Sequence, residues 1–179
     1  MLYFDTAREL ILLALLVAAA FTDLAYGKVH NWCTFPAIML GLMLAYISGG
    51  IDERGRFNLV QSVLGILLTG GIFGVLFLLG GFGAGDVKLA VAVGALKGWF
   101  FSLWAIACTS VVGLILALGV LVWKGQFWRG LRQSLAAVVR VRRAERVSEG
   151  SPAALTVPYG FAISAGTLWA WLLLEARVF

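Results

Sequence analysis

Charge is what this sequence has least of. Asp, Glu, Lys and Arg make up 13% of its 179 residues against 61% hydrophobic ones, whereas a soluble domain is about a quarter charged and about half apolar. That excludes an ordinary water-soluble globule and points to a bilayer as solvent. Histidine is nearly absent, His30 being the single one, so His-Glu-x-x-His zinc chemistry cannot be assembled. A serine paired with His30 has no motif behind it, because no Gly-x-Ser-x-Gly elbow occurs. The two cysteines, Cys33 and Cys108, lie far apart and outside any Cys-x-x-Cys, which excludes a zinc ribbon or dithiol site. Both are expected to be buried, reduced packing residues. Internal repeats and low-complexity tracts are also lacking.

What is present is apolar chain. A spanning helix takes about 20 predominantly apolar residues, and five stretches approach or reach that length: Leu10–Tyr26, Trp32–Ile51, Leu59–Phe82, Phe101–Trp123 and Val157–Leu174. A sixth, Val87–Trp99, is shorter, with Lys88 and Lys97 near its ends, where long cationic side chains can snorkel toward headgroups. The expected fold is all-α, a polytopic membrane bundle of about six transmembrane helices. It forms a single domain over 1–179, including a basic loop at 124–156. The first span carries an Ala-x-Ala pattern at Ala18 and Ala20, but Asp5 and Glu9 surround a lone Arg8, and a cleavable signal starts positive.

Orientation follows from Lys and Arg, which short loops retain in the cytoplasm. Lys124–Ser151 holds Arg129, Arg132, Arg140, Arg142, Arg143 and Arg146 against Glu145 and Glu149 alone, whereas the loop Asp52-Glu53-Arg54-Gly55-Arg56 is neutral. With an even number of spans both termini are expected on the non-cytoplasmic side, and the loops after Tyr26 and before Asp86 on the cytoplasmic side. The net charge of +5 does not indicate nucleic acid, because the basic residues crowd one loop without interleaved aromatics for base stacking. Anionic lipid headgroups are the expected partner of that loop. Within it Trp128, Leu131, Leu135 and Val138 share one side of a helical wheel and Arg129, Arg132 and Arg140 another, as in an interfacial helix. Trp32, Trp99, Trp104, Trp123 and Trp128 fall near span ends, where indole rings anchor at the interface.

Carboxylates at membrane depth are costly and mark function. Asp23 follows the apolar run Leu10–Phe21, about one turn before Gly27, a residue suited to ending a helix. Asp86 closes the loop Gly80-Gly81-Phe82-Gly83-Ala84-Gly85 and opens the short span. Taken singly, one aspartate could mark a membrane boundary and the other cap a helix. Together, on one expected face and beside glycines that permit close backbone approach, they form a candidate catalytic pair. Adjacent carboxylates share a proton, so one can act as base toward water and the other as acid toward a carbonyl. That chemistry needs no metal or other cofactor. Asp86, at a helix N-terminus, is expected to hold the charge and Asp23, near a C-terminus, the proton.

Gly83-Ala84-Gly85-Asp86-Val87-Lys88 resembles the Gly-x-Gly-Asp-x-Lys motif of the type IV prepilin peptidases, and its flanks Gly80-Gly81-Phe82 and Leu89 resemble it too. Asp23-Leu24 followed by Lys28-Val29-His30-Asn31-Trp32-Cys33-Thr34 is similar to that family's first catalytic segment, and Val157-Pro158-Tyr159-Gly160-Phe161 to its Pro-Tyr-Gly segment. The resemblance implies an aspartic endopeptidase of a bacterial inner membrane. It would cut the basic leader from prepilins at the cytoplasmic boundary, with Asp23 and Asp86 catalytic and Gly83, Gly85, Lys88, Pro158, Tyr159 and Gly160 supporting or binding substrate. Lys88 is two residues from Asp86, so the two do not face each other on a helix. His30 stands where the family usually has proline, and the cytosolic domain with paired Cys-x-x-Cys motifs is lacking. The chain therefore resembles the peptidase-only form serving Flp-type tight-adherence pili. Two other classes stay open from the residues: a different Gly-x-Gly-Asp intramembrane protease, and a non-enzymatic subunit using the aspartates for protons or cations.

Overall fold

The computed structural model describes residues 2–51, 57–123 and 159–175, and the regular structure there is helical. The helices are α1 (Leu2–Tyr26), α2 (Asn31–Gly49), α3 (Leu59–Leu78), α4 (Ala84–Trp123) and α5 (Tyr159–Glu175). Met1–Gly113 and Pro158–Phe179 form one compact unit, to which the rest of this section refers. Leu114–Trp123, the end of α4, belongs to a second unit. The neutral loop at 52–56, the basic loop at 124–156 with its expected interfacial helix, and Pro158 lie outside the described residues.

Among the described residues four helices are long and apolar enough to cross a membrane, with mean hydropathy from 1.5 to 2.2; Tyr159–Leu174 is apolar but shorter. Val17, Phe21, Met39 and Leu67 are exposed, a surface that fits hydrocarbon rather than water. The chain is thus a multi-pass helical membrane protein. Helix α1 stops where glycine allows it to: Gly27 adopts φ 63°, and its N–H donates to the carbonyl of Asp23 at 2.8 Å. It starts earlier than expected, at Leu2 rather than Leu10, which places Asp5, Arg8 and Glu9 inside the helix. Helix α3 is capped by Asn58, whose side chain accepts from the N–H of Gln61 at 2.9 Å.

Helix α4 is two helices joined at Gly98, whose φ of 78° and ψ of −178° no helix contains. Ala90 and Val93 before this break line the same cleft as Ser102, Ala105 and Thr109 after it. A straight helix would hold Ala90 and Thr109 about 28 Å apart, so the chain doubles back at Gly98. The break falls between the expected spans Val87–Trp99 and Phe101–Trp123.

The short first arm is the centre of the unit. Leu89, Ala90, Ala92, Val93, Gly94, Ala95 and Leu96 are all buried, covering most sides of the arm. Small residues let the neighbouring backbones close in: a Cβ on Gly41 of α2 would lie 2.9 Å from the Ala95 carbonyl, and one on Gly65 of α3 would lie 2.3 Å from the Gly94 carbonyl. Ser62 donates across the same contact to the Ala95 carbonyl at 2.6 Å. Lys97, expected to snorkel toward headgroups, instead pairs with Glu9 of α1. Cys108 is buried as expected, whereas Cys33 is only half-buried; both are free thiols.

Replacing Gly94 by alanine would push a methyl to within 2.4 Å of the Gly65 carbonyl. It should destabilise the fold by about 1–3 kcal/mol, read as a lower thermal midpoint in detergent. Gly74→Ala, with open space at its Cβ, should leave the midpoint unchanged.

Candidate active site

Asp23 sits in the last turn of α1 and Asp86 in the first turn of α4. The connection after α1, the start of α4 and the start of α5 meet beside them at Val29. Asp86 is the third helical residue of α4, and its Oδ2 accepts from the N–H of Gly83 at 3.0 Å. The Gly83 carbonyl in turn accepts from the N–H groups of Asp86 at 3.1 Å and Val87 at 3.3 Å. This is the carboxylate half of a capping box, which fixes the side chain against its own helix start. Capping and chemistry are compatible, because only one carboxylate oxygen is used in this bond.

The Asp23 side chain reaches a different helix. Its Oδ2 accepts from the N–H of Phe161, in the first turn of α5, at 2.8 Å. Contact this close requires glycine at the preceding position: a Cβ on Gly160 would lie 2.8 Å from Asp23 Cγ and 2.7 Å from Val29 Cγ2. Gly85 is constrained from the other side, since its Cβ would lie 3.0 Å from the Val29 carbonyl. The starts of α4 and α5 therefore both press on Val29, in the short connection that follows Asp23. Asp23 and Asp86 are 7% and 9% exposed and lie within electrostatic reach of each other.

Two carboxyl groups that share one proton can act together, one as base toward water and the other as acid toward a carbonyl. The helix-end argument that gave Asp23 the proton loses its force here. Asp23 ends α1, but its carboxylate rests on the N-terminus of α5, so both aspartates face a helix N-terminus.

The other residues singled out in the sequence divide. Gly83, Gly85 and Gly160 contact the aspartates or Val29 as described. Tyr159 stacks its ring on Phe82 at 4.6 Å, and Phe82 meets Phe73 edge-on at 5.3 Å, which ties the glycine-rich loop to the start of α5. Lys88 turns to α2, where its Nζ donates to Asn31 Oδ1 at 2.8 Å and lies 5.3 Å from the centre of the Phe35 ring. It makes no pair with Asp86, in keeping with their spacing. His30 is exposed and packs edge-on against Tyr26 at 5.9 Å. Sequence reasoning gave no role to Val29, Asn31 or the Phe161 amide. Val29 had a signal, being the one aliphatic side chain between Gly27 and Asn31; a backbone amide has none.

A bundle of apolar helices with two buried aspartates meeting at one end defines a membrane-embedded protein with the groups for acid–base hydrolysis. The profile of the type IV leader peptidase family matches residues 10–118, which include both aspartates and the glycine-rich loop. The chain belongs to that family, whose members are aspartic-type prepilin peptidases, and it is a membrane peptidase with prepilins as its substrate class. The match ends before Tyr159-Gly160, so the contact of α5 with Asp23 is an observation of the structure alone. Neither a curated protein nor a solved structure matches the chain closely enough for comparison.

Gly160→Ala should displace the Asp23 carboxyl group while removing no side chain. A misplacement of about 1 Å can cost on the order of 10²-fold in rate. The expected outcome is a loss of that order in leader cleavage at near-normal levels of folded protein, measured by gel shift of a prepilin in detergent.

Proposed function

We propose that this chain removes the basic leader from Flp-like type IV prepilins, with Asp23 and Asp86 as its catalytic pair. The observation that supports the reading is the junction at Val29, where the starts of α4 and α5 close on the connection after Asp23 and both carboxylates are nearly buried. One carboxylate takes a proton from water as the oxygen attacks the scissile carbonyl, and the other gives its proton to the carbonyl oxygen. Collapse of the tetrahedral adduct breaks the C–N bond, with a proton passed to the departing amine. Gly83 and Gly85 keep the loop tight against Asp86 and open to an extended peptide. Gly160 admits Asp23 to the Phe161 amide of α5, while Tyr159 and Lys88 border the substrate path, a supporting role that the resemblance also gives to Pro158.

The protein sits in a bacterial inner membrane with six crossings, the turn at Gly98 supplying the boundary between the fourth and fifth. Its active site faces the cytoplasm and its termini the opposite side, an orientation supported by the Arg-rich segment 124–156 and its affinity for anionic headgroups. A prepilin with a cytoplasmic basic leader and an apolar helix in the bilayer would bring its scissile bond to that boundary. The Flp-like class rests on the chain's resemblance to short, peptidase-only forms.

The test is cleavage of Flp-type and longer type IV prepilins by the reconstituted protein. Wild type should cut the Flp-type substrate, and Asp23→Asn and Asp86→Asn should each lose roughly 10²–10⁴-fold or more. A near wild-type rate in either variant would remove that residue from the mechanism. Preference for the longer prepilins would remove the Flp assignment alone.

A further inference from the structure

A second polar cluster lies at the opposite end of the same helices. Glu9 of α1 pairs with Lys97, the last residue before the α4 break, and Trp171 of α5 donates its indole N–H to the other Glu9 oxygen. Three helices thus meet through one carboxylate. The neighbouring Arg8 pairs with Asp5 and stacks its guanidinium 4.1 Å over the Phe57 ring, and a Cβ on Gly98 would lie 2.9 Å from that same ring. Lys97 is held at a helix C-terminus, where the dipole favours a cation.

This cluster and the aspartate pair share their helix faces. On α1, Glu9, Leu12, Leu16, Ala19 and Asp23 follow alternating spacings of three and four residues, and the middle three are buried in the common core. On the first arm of α4, Asp86, Ala90, Val93 and Lys97 do the same, again with the middle pair buried in that core. Glu9 lies about 21 Å along α1 from Asp23, and Lys97 about 16 Å along α4 from Asp86. The two helices run antiparallel, joined by an ion pair at one end and carrying the aspartates at the other. Helix α5 repeats the arrangement, with Phe161 on Asp23 and Trp171 on Glu9.

Apolar layers alone tolerate a slide of one helix along another, because one methyl-lined groove resembles the next. An ion pair between a short and a long side chain does not. We propose that Glu9, Lys97 and Trp171 are positioning residues for the peptidase reaction, fixing the axial register of α1, α4 and α5 in which Asp23 and Asp86 meet. The inference rests on the aspartate pair being catalytic. It predicts that the ionic contact acts on the chemical step and leaves substrate binding untouched.

The experiment is steady-state prepilin cleavage by the full chain in lipid nanodiscs, with the folded fraction normalised by thermal unfolding. The variants are Lys97→Met, Lys97→Arg, Glu9→Gln, the reversal Glu9→Lys and the exchange Glu9→Lys with Lys97→Glu. The expected result is a fall in kcat of tenfold or more for Lys97→Met and Glu9→Lys at unchanged KM, retention of kcat in Lys97→Arg, and only partial recovery over Glu9→Lys in the exchange, where lysine at position 9 leaves the Trp171 indole N–H without its acceptor. A wild-type kcat in Lys97→Met, or a rise in KM without loss of kcat, overturns the inference. Should Lys97→Met and Glu9→Lys fail to accumulate, Glu9→Gln decides alone, since glutamine keeps an acceptor for the Trp171 indole and drops the charge: a tenfold fall in kcat at unchanged KM supports positioning, and a wild-type kcat overturns it. Asp23→Asn and Asp86→Asn run alongside. Activity in either of those defeats the catalytic reading itself, whereas inert aspartate variants with an active Lys97→Met defeat only the positioning role.

Discussion

Two acidic groups held together inside an apolar bundle repel each other and lose hydration, so something must stand in for water. Here helix N-termini do so. The amide of Gly83 holds Asp86 and the amide of Phe161 holds Asp23, each a donor left unpaired by helix geometry. Every other feature of this end of the molecule follows from that requirement. Glycine stands at 85 and 160 because the two helix starts close on Val29, and any side chain at 160 would occupy the space of the Asp23 carboxyl group. Gly27 ends α1 within a turn of Asp23 so that the chain can reach Val29.

The membrane setting shapes how the framework is held. Lipid provides no hydrophobic drive between helices, which leaves close packing and polar contacts to associate them. The first arm of α4 uses both means. Its alanines and glycines admit α2 and α3 to backbone contact, and Lys97 joins it to α1. A helix too short to read as a confident span is therefore the one around which the others are arranged.

Much of this was legible in the sequence, and the failures have identifiable causes. Apolar length and the spacing of Asp, Gly and Lys gave an all-α membrane bundle and singled out Asp23, Asp86 and the glycine loop, because bilayer thickness and backbone sterics act locally. Hydropathy misread Lys97 and the start of α1 because it scores each residue against lipid or water and cannot see that Glu9 would meet Lys97 from 88 positions away. The helix-end argument for the proton was incomplete for a similar reason: the end of α1 is visible in the sequence, but the arrival of α5 at Asp23 depends on tertiary packing. Val29 and the Phe161 amide escaped notice since a small aliphatic side chain and a backbone N–H have no chemistry of their own until placed.

The central claim is that Asp23 and Asp86 act as one unit on the peptide bond, and a double-mutant cycle on leader cleavage tests it most directly. Residues that act as a unit are strongly non-additive when removed. The account predicts that Asp23→Asn with Asp86→Asn together cleave no more slowly than either single variant. Losses that multiply across the cycle would show two independent carboxylates and contradict it.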